Sequence, residues 1–447
     1  MTRRVLTACL TVMVAFAPLS AQTIGRQPAP AMPRTPAGDE LRAWLDAYNA
    51  GDSARISTYI RVHQPAQILR DAFGFRTLTG GFDLLTVERS EPRHIEFTVR
   101  HRRDAMVAYG ALEVSMGEPP RATDLVLQPL GEDASIAGLR IAAPDRARIV
   151  ERTAALLDSF YVDSNVARRA GDTLRARLKR GAYSGYENGA GLALRLDRDL
   201  ADLIRDRHLK LLYSPKPIPQ GHFGGAGAPT PPSAAEIERE QRELQERNCG
   251  FRRAEQLDGN VGYIKFDAFA NAELCRTTVA AAMNFVAGTR ALILDLRENG
   301  GGRPDMVVLV ASHLFERRTH LNDRWTRSTG AKEEFWTLDS VPGRRFGGAR
   351  PVYVLTSAHT FSAAEEFTYD LQALGRATVV GEVTGGGAHP TQIRRIDDHF
   401  LIGVPYAKAI NPITHTNWEG SGVKPDVAVP ATMGLDTVLV LLKNAQR

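Results

Sequence analysis

Ser362 follows an apolar run, Val352 to Leu355, and a short loop, 356–361. It precedes Ala363, Ala364, Glu365, Glu366 and Phe367. The run suits a strand buried on both faces. The residues after the serine favour a helix, with acid in the first turn and Gly375 to close it. A hydroxyl at that junction has two uses. It can cap its own helix, which serine does well. It can also act as a nucleophile, because the unpaired N–H groups and positive end of a helix stabilise an oxyanion forming beside it.

A second segment, ALILDLRENGGGRP over 291–304, has the same strand, loop and helix order with glycines in the loop. Asn299-Gly300-Gly301-Gly302 lets backbone approach a ligand and present amide donors where side chains would block them. Such a loop suits one side of an oxyanion hole. A phosphate cradle is the competing use, but neither a Gly-Lys-Ser/Thr ending nor a GxGxxG spacing is present. A serine hydroxyl is a poor nucleophile at neutral pH, so a base must come within hydrogen-bond reach.

The stretches GNVGYIKFDAF, LDLRENGGG, SAAEEF, GRATVVGEVTGGGAHP and NPITHTNWEGSGVKPDVAV follow one another between Asn248 and Pro430. In that order the chain resembles the tail-specific (C-terminal processing) and tricorn-like serine peptidases, in particular the branch that includes interphotoreceptor retinoid-binding protein. The resemblance implies an α/β fold with a crotonase-like core of strand-helix repeats. It places the nucleophile at Ser362 and the oxyanion donors at the backbone of Ala363 and of Gly301 or Gly302.

The processing branch uses a lysine twenty-five residues after the serine, and that position is Gly387 here. Tricorn-like members use a histidine from the preceding region and a glutamate near the end of the core, with counterparts at His208 and Glu419. His208 is accordingly expected as general base and then general acid, with Glu419 holding its tautomer or stabilising the imidazolium. Arg207 stands where the tricorn pattern has a serine, and a guanidinium close to the imidazole would lower its pKa. Gly386, Gly387 and His389 lie on the loop expected to run along the substrate. His359, His389 and His415 all lie near the core motifs; His359 and His389 are expected as substrate-contacting or structural, and Lys408 is an alternative base on a neighbouring strand, where lysines are usually solvated.

Positioning three such groups takes a sizeable core, and 447 residues at 43% hydrophobic supply it, with length for two to three domains. The net charge of +5 is scattered, with both signs mixed in DRARIVER and EIEREQRELQER, and no basic stripe interleaves with aromatics. Nucleic acid is therefore excluded as the expected partner. No HExxH or cysteine-histidine cluster occurs, so no metal and no cofactor is expected.

Arg3-Arg4, the apolar run Val5 to Leu19 and Ser20-Ala21 read as a cleaved secretory signal over 1–21, implying a periplasmic or extracellular protein with no integral span. Cys9 comes too early for a lipidation box. The remaining pair, Cys249 and Cys275, suits either a bridge or two buried thiols in that compartment.

After the signal, 22–37 reads as a Pro- and Ala-rich tether and 38–130 as an α+β accessory domain resembling the cystatin-like cones. The segment 131–213 reads as helical, ending at the His208 strand. A Pro/Gly-rich connector with a charged helix fills 214–247, and the peptidase-like core occupies 248–447. No block long and strand-rich enough for a PDZ module precedes that core. Two functions fit: an exported serine endopeptidase acting on extended polypeptides, and a non-catalytic carrier of apolar ligands or peptides on the same scaffold. Oligomeric state is not legible.

Overall fold

The computed structural model describes residues 30–63, 69–115, 117–132, 134, 137–219 and 233–445. The expected signal (1–21), the first half of the tether (22–37) and the middle of the connector (214–247) lie outside them. The chain divides into two compact units, 1–127 and 128–447.

The first unit contains α1 (Pro36–Ala50), α2 (Ser53–His63) and α3 (Leu69–Thr79). They precede β1 (Phe82–Ser90), β2 (His94–His101), β3 (Val107–Val114) and β4 (Ala122–Gly131), a sheet in that order whose last strand crosses the division. The expected helix face on α1 is the buried one: Leu41, Trp44, Leu45 and Tyr48. Trp44 packs on Phe82 with ring centroids 4.6 Å apart, so helix and sheet share an aromatic core. The unit is α+β.

The second unit begins with α4 (Ala143–Phe160), α5 (Ser164–Lys179) and α6 (Gly189–Ile204), then β5 (Lys210–Tyr213). The charged stretch forms α7 (Ala234–Glu246), closed at its start by a Ser233/Glu236 capping box and burying none of its residues, as a solvated helix should. After it come β6 (Phe251–Leu257), β7 (Val261–Phe266), α8 (Ala272–Val286), β8 (Ala291–Asp295) and α9 (Pro304–Ser312). The chain continues through β9 (His320–Thr326), β10 (Lys332–Trp336), β11 (Val352–Thr356), α10 (Ala363–Ala373) and β12 (Thr378–Gly381). It ends with β13 (Thr391–Arg395), β14 (Phe400–Pro405), β15 (Ala407–Ile410), β16 (Val427–Ala428) and α11 (Gly434–Asn444).

The central sheet runs β16-β12-β11-β8-β7-β6, parallel except for β6 at one edge. The inner strands β8 and β11 are buried on both faces, which explains their unbroken apolar runs. Leu292, Leu294 and Val354 pack with α8, α9 and α10 on one side. Ala291, Ile293 and Leu355 face Val438 and Leu442 of α11 on the other. The loops after β8 and β11 leave the carboxyl ends of neighbouring strands, where open α/β sheets bind ligands.

Two smaller sheets, β10-β9-β15 and β13-β14-β5, complete the unit. The second joins the helical segment 131–213 to the segment 248–447. Leu211 and Leu212 of β5 pair with Ile402 and Leu401 of β14, and the Val162 N–H donates to Pro405 O. Cys249 and Cys275 are bridged, which ties the start of β6 to α8 across a separation of 26 residues. Closing a loop of that length stabilises the fold by about 3–4 kcal/mol in the chain-entropy account.

Candidate active site

Ser362 sits between β11 and α10 with φ 56° and ψ −122°, a left-handed backbone that a residue with a Cβ adopts only when held there. The hold comes from Glu365, one turn into α10. Its Oε2 accepts the Ser362 N–H at 2.8 Å and the Gly387 N–H at 2.8 Å. Its Oε1 accepts the Gly386 N–H at 2.6 Å and the Thr384 hydroxyl at 2.5 Å. One buried carboxyl thus fixes both the serine backbone and the glycine loop. Burial raises its pKa, and these hydrogen bonds oppose the rise.

The Ser362 hydroxyl is within reach of the histidine ring. It lies 2.9 Å from His208 Nε2. His208 reaches that point because α6 ends at Arg205 in a left-handed conformation (φ 59°), and Asp206 Oδ1 then accepts the His208 N–H at 3.0 Å. Pairing of β5 with β14 anchors the far side of this turn.

The histidine ring packs against Phe361, centroids 4.6 Å apart, and Arg207 lies over the same phenyl at 5.2 Å. Arg207 also donates to Gly385 O at 2.8 Å, so it acts as a strut for the glycine loop. Burial holds the His208 pKa below the usual imidazole range. The Asp206 charge opposes this, while His389 and Arg207 add to it, Arg207 least.

The loop 384–389 needs its glycines. A Cβ at Gly387 would lie 2.4 Å from the Phe361 ring and 2.6 Å from His208 Cε1, and one at Gly385 would meet Phe361 at 2.7 Å. A lysine at 387 and this placement of His208 therefore exclude each other. Trp418, itself buried, donates its indole N–H to Gly387 O at 2.7 Å. The Gly386 N–H donates to Glu365 Oε1 and its carbonyl accepts the Gly420 N–H. Gly387 and His389 line the cavity beside Ser362.

On the opposite side, Gly301 packs so tightly on the serine that a Cβ there would lie 2.7 Å from Ser362 Cβ. Asn299, buried, shapes this turn through its Nδ2–H to Phe266 O and by accepting the Gly301 N–H at 2.9 Å. Of the two glycines expected as oxyanion donors, Gly301 is thus committed elsewhere. Among the described residues, neither the Gly302 nor the Ala363 N–H donates to a protein acceptor, and both residues line the cavity.

Glu419 stands apart from His208. Its Oε2 accepts the Ala388 N–H at 2.6 Å and lies 3.5 Å from His389 Nδ1. Burial, with the Asp206 charge, pushes its pKa up to about 7. The expected bond to the imidazole is not formed: His208 Nδ1 and Glu419 Oε1 are both buried without a protein partner. The carboxylate beside the histidine turn is Asp206, which also pairs with His389 Nδ1 at 2.7 Å and accepts from the Tyr161 hydroxyl at 3.1 Å.

Asp206, His389 and Glu419 bring ligand-type atoms within 4.8 Å of one another, but the first two already bond each other. His359 and His415 are exposed, and Lys408 lies over the Trp325 ring at 5.1 Å, on the surface of β15.

Asp206, Glu365, Phe361 and Trp418 do not stand out in the sequence as site residues. The adjacency of Asp206 to His208 is the one available signal. Glu365 reads locally as an ordinary acid in a first turn, and no pattern announces a contact between residues 206 and 389.

The cavity holds about 340 Å³. It is walled by the serine junction, the loop from Gly387 to Thr391, Trp418 and side chains of β9 and β10. A serine hydroxyl, an imidazole and, among the described residues, two amides without a protein acceptor thus converge on one concave space, an arrangement suited to acyl transfer.

Residues 260–429 match peptidase family S41. A carboxyl-terminal-processing protease of Picosynechococcus sp. is 31% identical over 188 residues, covering 40% of this chain and 43% of the relative. The chloroplastic carboxyl-terminal-processing peptidase 2 of Arabidopsis thaliana is 27% identical over 180 residues, 39% of this chain and 33% of the relative. The chain therefore spans less than half the length of these curated relatives. The solved photosystem II D1 C-terminal processing protease is similar at 18% identity and a TM-score of 0.41, over 66% of this chain and 97% of that one. None of these three is a retinoid-binding protein. The matched segment contains Ser362, Glu419 and the glycine loops, whereas His208 lies before it.

Proposed function

We propose, from the match of residues 260–429 to peptidase family S41, that the protein is an exported serine endopeptidase. In this reading Ser362 is the nucleophile, His208 the base, and the Gly302 and Ala363 N–H groups the oxyanion donors. The distance of 2.9 Å between His208 Nε2 and Ser362 Oγ carries it.

Neutral at its depressed pKa, His208 takes the Ser362 proton as Oγ attacks the scissile carbonyl. Negative charge develops on the carbonyl oxygen between the two free amides, which need no reorganisation to receive it. The imidazolium then gives its proton to the departing amine, leaving an acyl-serine, and water repeats the sequence to release the acid. Behind the imidazole, Asp206 supplies standing negative charge. Glu419, pushed up to about 7 by burial and the Asp206 charge, faces His389 and holds the Ala388 N–H behind the site. Strand β13 starts at Thr391 on the cavity wall and has only β14 as a neighbour in its sheet, so an extended polypeptide can pair along its other edge.

Export rests on the residues of 1–21 and accords with the Cys249–Cys275 bridge, which persists in oxidising compartments. Among the described residues no helix is long and apolar enough to cross a membrane.

Hydrolysis of a casein-derived peptide by wild type, Ser362→Ala, His208→Ala and Lys408→Ala tests the assignment. The serine and histidine variants should lose about 10³-fold or more in kcat, with Lys408→Ala unchanged. A fluorophosphonate probe should label wild type at Ser362. Full turnover by Ser362→Ala, or no labelling of the wild type, would return the protein to the carrier reading.

A further inference from the structure

The cavity beside Ser362 has an acid-bearing wall that the reaction above does not use. Glu366 stands four residues after Ser362 on α10 and Asp370 four further, so both carboxyls lie on one helix face. Glu366 lines the cavity with Asn322 and Arg324 of β9 and Phe335 of β10.

Donors in this wall are few. Asn322 Nδ2–H reaches Glu366 Oε1 at 3.3 Å, and Asn411 Nδ2–H reaches Asp370 Oδ1 at 3.1 Å. Asn322 Oδ1 and Asp370 Oδ2 are buried with no donor, and Asn322 itself is only 2% exposed. The nearby cation, Arg324, is already taken: it is ion-paired with Glu333 and lies over the Phe335 ring at 5.2 Å, without a bond to Glu366. Burial pushes Glu366 up to about 7 and Asp370 well above its ordinary range, and the charge on Glu366 raises Asp370 further.

A surplus of buried acceptors selects its occupant. An apolar side chain would seal them from water unpaired, and an acidic one would meet like charge. A cationic side chain donates to Glu366 and to Asn322 Oδ1 and favours ionisation of Glu366, while its aliphatic stem lies on Phe335, Pro304 and Tyr406. We propose that this cavity is a specificity pocket for a lysine or arginine side chain next to the scissile bond, with Glu366 as its main acceptor and Asn322 as the second. The proposal rests on the peptidase reading and names the substrate class of that site.

Cleavage of a peptide mixture covering all residues around the cut, mapped by mass spectrometry, tests it with wild type and Glu366→Gln. The glutamine keeps the shape and the bond from Asn322. Cuts by wild type should cluster beside lysine and arginine. Glu366→Gln should lose about 10- to 100-fold in kcat/KM on those sites and keep its rate on uncharged ones. In parallel, butylamine should raise the thermal midpoint of wild type but not of Glu366→Gln. No enrichment beside basic residues, or an identical cut pattern in the variant, overturns the pocket. If wild type cleaves nothing and escapes the fluorophosphonate, the peptidase reading fails, and the butylamine shift alone then decides whether the wall binds a cation.

Discussion

At the scale of single residues, the site depends on charge held at a distance. His208 owes its depressed pKa first to burial, and Asp206 is the group that limits the depression. The acid limb of kcat/KM should therefore have its midpoint below pH 6.5, with activity lost as His208 gains a proton. Asp206→Asn removes the one charge that favours the imidazolium, so the limb should move to still lower pH. A pH-rate profile of both enzymes checks the direction, and an unmoved limb would show that Asp206 acts only on the fold. Ser362 left a local trace at its strand-helix junction, whereas His208 was singled out by the resemblance to tricorn-like peptidases. The support of the histidine was harder to read. Glu419 carries the family pattern, yet its carboxyl bonds the Ala388 N–H, and Asp206 takes the nearer place.

At the scale of elements, the strand-loop-helix units around Ser362 and Asn299 were legible from apolar runs and glycines, because strands buried on both faces admit no polar alternation. The glycine loop after β12 was legible as a loop, but its purpose was not. Its amides turn inward to Glu365, leaving room for the histidine ring. Gly387→Ala should push His208 off the serine, since its Cβ would lie 2.6 Å from the ring. A displacement of about 1 Å can cost on the order of 10²-fold in kcat. Peptide turnover measured beside the thermal midpoint separates this from unfolding: turnover should collapse while the midpoint moves little. The junction of 131–213 with the core was not legible, because pairing of β5 with β14 joins residues nearly two hundred positions apart.

At the scale of the whole molecule, the alcohol and the imidazole come from stretches of chain on either side of the connector. The base side is fastened to the nucleophile side by the β5–β14 ladder, by Arg207 on Gly385, by His389 on Asp206 and by Val162 on Pro405. None of these ties passes through residues 220–232. The two stretches should therefore meet even without the covalent bond that joins them. Two separately encoded fragments, 1–226 and 227–447, should reassemble when co-expressed and regain peptide turnover, while each alone is inert. Recovery of activity only from the uncut chain would mean that the covalent link, and not the sheet, delivers the histidine. A protein built this way can tolerate a nick in its connector and go on working as a complementing pair.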